Sequence, residues 1–101
     1  MKVKAKLKKG NVEVKVLAKS PMAGKEEAKL KKIDVEFITH MTARANGKVV
    51  WEVSTGPFLS KNPYMQFAFN AEKAGVKKGD KVDVDWVDNK GKTAKKSQKI
   101  K

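Results

Sequence analysis

His40 is the only histidine in the chain, and there is no cysteine. Metal sites built on histidine need several ligands, so His40 by itself reads as a surface or edge residue of a strand. A chain without a thiol has no cysteine nucleophile, no thiolate metal site and no disulfide framework. Asp83, Asp85 and Asp88 form an acidic stretch. At a period of two, Asp83 and Asp85 share one face, opposite Val82, Val84 and Trp86. Two carboxylates can divide acid and base roles when their surroundings split their pKa values. Nothing near this pair signals a cleft or desolvation, so it reads as the wet face of a strand matched to lysines across the sheet. Ser20, Ser54, Ser60 and Ser97 have no evident base to activate them. No glycine-rich phosphate loop is present. The expectation is a chain with no catalytic residue, no metal and no cofactor, which acts by binding.

What it binds is first a question of charge. Lysine and arginine number 24 against 11 acidic residues, a formal net charge of +13. That balance attracts nucleic acid, an acidic protein, an anionic membrane surface or small anions. Arg44 is the only arginine, although arginine is the usual reader of bases and phosphates. Nucleic-acid binders also interleave basic residues with exposed aromatics. Here Phe37, Trp51, Phe67, Phe69 and Trp86 fall on inward faces, and only Phe58 and Tyr64 do not. A basic β-domain touching nucleic acid non-specifically is therefore the alternative reading. A lysine-rich surface that solubilises the fold and discourages edge pairing accounts for the charge more simply. The N-terminus alternates lysine with apolar residues and lacks the apolar core of a signal peptide. No apolar run is long enough for a spanning helix.

The elements that must position these residues are strands. With 101 residues the chain makes one domain, 1–101, with a basic C-terminal end free to move. Val3, Ala5 and Leu7 alternate with lysines, as do Val12, Val14 and Val16 with Glu13 and Lys15. Gly10-Asn11 suits the turn between them. Ser20-Pro21-Met22-Ala23-Gly24 breaks the pattern, and residues 25–32 read as a surface excursion with one helical turn or a short hairpin. Ile33, Val35 and Phe37 restart a strand that runs to Ala45, with a bulge where Ile38 follows Phe37. Asn46-Gly47 is a strong hairpin signal, and Val49, Trp51 and Val53 share a face of the returning strand. Met65, Phe67 and Phe69 mark a core strand, and Val82, Val84 and Trp86 another. A weakly apolar last strand ends near Ile100. About seven short antiparallel strands point to an all-β, immunoglobulin-like sandwich, with a small OB-type barrel as the competing architecture.

The most unusual segment is Gly56-Pro57-Phe58-Leu59-Ser60-Lys61-Asn62-Pro63. Its prolines fix φ and withhold donors, so it is a stiff loop. An apolar Phe58-Leu59 pair in such a loop marks either a contact surface or a plug for the end of the sandwich. The candidate partner-binding residues are Gly56, Pro57, Phe58, Leu59, Ser60, Lys61, Asn62 and Pro63.

An ordered series of segments resembles the SoxZ family. It comprises Val3-Lys4-Ala5-Lys6-Leu7-Lys8, Ser20-Pro21-Met22, Phe37-Ile38-Thr39 and Asn46-Gly47-Lys48-Val49-Val50. It continues with Gly56-Pro57, Ser60-Lys61-Asn62-Pro63, Lys78-Gly79-Asp80-Lys81-Val82 and Trp86-Val87-Asp88-Asn89-Lys90-Gly91. The resemblance implies an immunoglobulin-like, non-catalytic small subunit of the SoxYZ sulfur carrier. Such a subunit pairs with SoxY, whose arm cysteine carries sulfur intermediates of thiosulfate oxidation, and contacts the oxidation enzymes transiently. It also implies a periplasmic location reached by co-export with a signal-bearing partner, with no membrane association.

Overall fold

Strands form in this chain where β-branched and aromatic residues alternate with charged ones, because each strand then offers one face to a core and one to water. The structure, a computed structural model, describes residues 1–57, 59 and 61–101, and the side chains of these other than Glu27 and Lys31. Its elements are β1 (Lys2–Lys8), β2 (Asn11–Leu17), α1 (Lys25–Lys31), β3 (Ile38–Ala45), β4 (Lys48–Ser54), β5 (Tyr64–Asn70), α2 (Ala71–Ala74), β6 (Lys81–Asp88) and β7 (Thr93–Lys99). One antiparallel sheet has the order β1-β2-β5 and the other β4-β3-β6-β7. The sheets face each other without closing, an immunoglobulin-like sandwich and not an OB-type barrel. Val12, Val14 and Val16 from the first sheet and Ile38, Met41, Val82 and Val84 from the second are fully buried between them.

Four local expectations are corrected. The β1–β2 turn is Lys9-Gly10, both at positive φ, and not Gly10-Asn11; Lys8 pairs with Asn11 across it. Residues 25–31 make a helix of two turns. Ile33 and Val35 do not begin β3, which starts at Ile38. The chain leaves α1 through Lys32 in the left-handed conformation, and Ile33 stays exposed. A single bridge joins Glu36 to Ala23, and Asn89 serves the backbone of Val35 and Phe37 in place of a neighbouring strand. Val49 is the fourth correction. The β3–β4 register shifts between Ala43 and Arg44, so the extra residue Val50 turns the alternation over. Val50, Trp51 and Val53 pack on the core, while Val49 is 51% exposed.

The long molecule, 46 × 21 × 17 Å, has two unlike flanks. On one, the chain passes β7, buries Ile100 and pairs Lys101 with β1. The Leu7 amide donates to the Lys101 carbonyl at 2.8 Å and the Lys101 amide to the Ala5 carbonyl at 3.0 Å. The basic C-terminal stretch thus forms β7 on β6, and past it Lys101 pairs with β1 of the first sheet. On the other flank β4 and β5 are the outer strands of their sheets. There the contact is aromatic: Trp51 stacks on Phe67 with centroids 4.3 Å apart and planes 4° from parallel.

Candidate partner-binding surface

The 56–63 loop is built onto a second loop. After β2, Ser20, Met22 and Ala23 are buried although no strand holds them, because their polar groups are met one by one. The Ser20 amide donates to Asn62 Oδ1 at 3.1 Å, and the Asn62 amide donates to the Ser20 carbonyl at 2.8 Å. The Ala18 amide donates to the Pro63 carbonyl at 3.0 Å. Ser20 Oγ accepts from the Met22 amide, and Met22 Sδ accepts from the Ile38 amide at 3.3 Å. Gly24 lies against Pro57 so closely that a Cβ there would meet Pro57 Cβ at 2.9 Å. At the other end Thr55 ties the loop to β3, its amide on Thr39 O and its hydroxyl on Ile38 O at 2.6 Å.

These anchors divide the candidate residues. Gly56 and Pro63 are buried, Leu59 is half-buried against the core, and Pro57, Lys61 and Asn62 are exposed. Phe58 and Ser60 lie outside the described residues. Leu59 therefore serves the inner face of the loop, and the outer face belongs to its neighbours. Tyr64 is 55% exposed and stands opposite Leu17, also exposed. The rest of the outer face of β5 is Gln66, Ala68 and Asn70, all exposed. From Val53 to Ala71 the only charged residue is Lys61, in a chain that is 35% charged. That gap in the charge pattern is the sequence signal that extends the candidate surface from the loop along the open edge of β5.

The residues weighed for chemistry are placed as follows. Asp88 is buried and caps its turn, its Oδ1 accepting from the amides of Lys90 and Lys92 at 2.9 and 2.8 Å. Asp83 and Asp85 do share the outer face of β6. Asp85 takes an ion pair from Arg44 at 3.3 Å and Asp83 a hydrogen bond from Ser97. Register places Asp85 opposite Lys95, yet the ion pair goes to Arg44, correcting the expectation of lysine partners. His40 lies between two residues that the sequence reading did not join to it. Ser54 Oγ is 3.4 Å from Nδ1 and Glu52 Oε2 is 3.3 Å from Nε2. The bulge at Val50 makes this group, since in an unshifted register His40 would face Val53. Glu52 is 61% exposed, so the group is a polar cross-strand cluster. Among the described residues no set of three His, Cys, Asp or Glu could hold a metal ion. Elsewhere, Lys90 lies 3.4 Å from Asp34 and 3.5 Å from Glu36. Desolvation tends to lower the Lys90 ammonium, but the hydrogen bonds and charges of Asp34 and Glu36 hold it above the ordinary 10.5.

A family model described as sulphur oxidation protein SoxZ matches residues 1–99. The chain belongs to the SoxZ family. Membership ties this SoxZ-family chain to sulfur oxidation, and the match takes in the 56–63 loop and all seven strands. A comparison with curated proteins returns no match.

Proposed function

We propose that this SoxZ-family chain is the non-catalytic subunit of a SoxYZ-type sulfur carrier. It binds a SoxY-like subunit whose arm cysteine holds the sulfur intermediates of thiosulfate oxidation, and it meets the oxidation enzymes only in passing. The observation that carries this reading is the family match over residues 1–99. The chain's own composition supports it, since a protein of sulfur oxidation without a thiol must leave covalent sulfur to a partner. The pair would work in the periplasm, the SoxY-like subunit supplying the export signal.

The surface for that partner is the neutral flank: the 56–63 loop with Leu17, Tyr64 and the edge of β5. Uncharged, partly apolar side chains lose little on desolvation, and an open edge can still give and take main-chain hydrogen bonds. The lysines elsewhere would speed encounter with an acidic partner without being buried in the contact.

The test is co-expression with a SoxY-like subunit, followed by size exclusion and calorimetry. A one-to-one complex is expected, with a signal from the partner's cysteine that this chain protects or presents. Two proteins that elute apart at micromolar concentration would overturn the reading. An association rate indifferent to salt would remove the steering component.

A further inference from the structure

The lysines of β1 and β2 do more than cover a face. Lys4, Lys6 and Lys8 point outward from β1 and, with Lys15 and Lys101, line a groove of about 650 Å³ in which, among the described residues, Glu13 is the only acidic side chain. Register sets Lys4 directly opposite Lys15, and Lys6 opposite Glu13. Like charges placed face to face across a sheet oppose its pairing. Among the described residues none of these lysines is in an ion pair. A concave site with opposed, unneutralised ammonium groups is completed by anionic groups from outside.

We propose that this groove docks an extended acidic segment of another protein, one that alternates Asp or Glu with neutral residues. The spacing selects that occupant. Side chains two apart on a strand lie roughly 6.8 Å apart, so the Lys4, Lys6, Lys8 row has the repeat of an extended peptide's own alternate side chains. A single tetrahedral oxyanion cannot reach lysines spread over roughly 13 Å of strand. The groove holds the volume of roughly twenty waters at ~30 Å³ each. No aromatic and no arginine lines the groove to stack on bases or clamp phosphates. The groove belongs to the stitched flank and the neutral surface to the open one. One chain can therefore hold a permanent partner and an acidic segment together, whatever that partner is.

The experiment uses the full chain and a fluorescein-labelled octapeptide of alternating Glu and Ser, read by polarisation at about 0.15 M salt. Binding is expected, with amide shifts confined to β1, β2 and the stretch around Gln98. Lys4→Gln, Lys6→Gln and Lys8→Gln combined weaken it about tenfold, while Lys48→Gln, Lys77→Gln and Lys92→Gln combined, with the same loss of charge, weaken it less than about twofold. Lys15→Gln alone weakens it in the same direction, which keeps the result independent of how β1 tolerates three changes. No binding by the unaltered chain overturns the proposal. So does equal weakening by the two triple variants, tighter binding of a single-stranded octanucleotide, or full displacement of the peptide by inorganic sulfate.

Discussion

The two flanks of the sandwich are closed by different means. Between β1 and β7 the backbone does it, through Leu7, Lys101 and Ala5, and the side chains around that seam are lysines. Between β4 and β5 an aromatic stack does it, the backbone edges stay open, and charge is almost absent from Val53 to Ala71. Edge strands are ordinarily blunted by charge, proline or a cover, because an unpaired edge recruits other strands. β1 and β7 follow that rule with lysines. β5 does not, carrying no charged residue in Tyr64–Asn70. β5 is an open edge without any charged side chain, which is why it is the edge proposed for contact with a partner. The stitched flank leaves recognition to charge, which is long-ranged and salt-sensitive. The open flank leaves it to burial and main-chain hydrogen bonds, which are short-ranged and resist salt.

The strongest way to break this comparison is to charge the neutral flank. Tyr64→Glu is expected to weaken the SoxY-like complex about thirtyfold or more, with thermal stability close to that of the unaltered chain because the side chain is exposed. Calorimetry showing unchanged affinity would return the interface to another face. Next come the two closures. Ile100→Ala should cost about 2–4 kcal/mol, as for other buried isoleucines. Trp51→Ala should cost about 2–3 kcal/mol, less than a fully buried tryptophan because Trp51 is half-exposed. Urea unfolding measures both. A Trp51→Ala loss below about 1 kcal/mol would mean that the stack does not hold the open flank.

Two smaller effects sharpen the picture. Gly24→Ala drives a Cβ into Pro57 and should cost about 1–2 kcal/mol by overpacking. Its φ of −77° suits any residue, so a neutral result would show that the two loops are not pressed together. Lys15→Gln removes the like-charge pair with Lys4 and should raise stability by about 0.2–0.5 kcal/mol at low salt, fading as salt rises. A loss of stability instead would mean that the lysines are already neutralised within the chain.

Much of the fold was legible because its signals are local. Alternation marked β1, β2, β5 and β6, and Asn46-Gly47 marked its turn, both residues being at positive φ as that turn needs. The reading failed where a local pattern competed with a distant constraint. Ile33, Val35 and Phe37 alternate like a strand, but α1 and the Asn89 side chain hold that stretch out of the sheet. Val49 continues the alternation of Trp51 and Val53, but the bulge at Val50 reverses it. The proline loop stood out by composition. Its docking on residues 18–24 did not, because hydrogen bonds such as Ser20 to Asn62 span 42 residues with no periodicity to announce them.

By itself the sequence determined that this is a thiol-free, lysine-rich β protein whose strands each have a wet face and a dry one. Those properties follow from residue types and a period of two, which no packing can alter. The tertiary structure alone decided which edges are sealed and which stay open, where the lysines converge, and that His40 meets Ser54. Such facts depend on register and on the meeting of segments far apart in the chain. One inserted residue or one terminal pairing changes them while leaving every local pattern as it was.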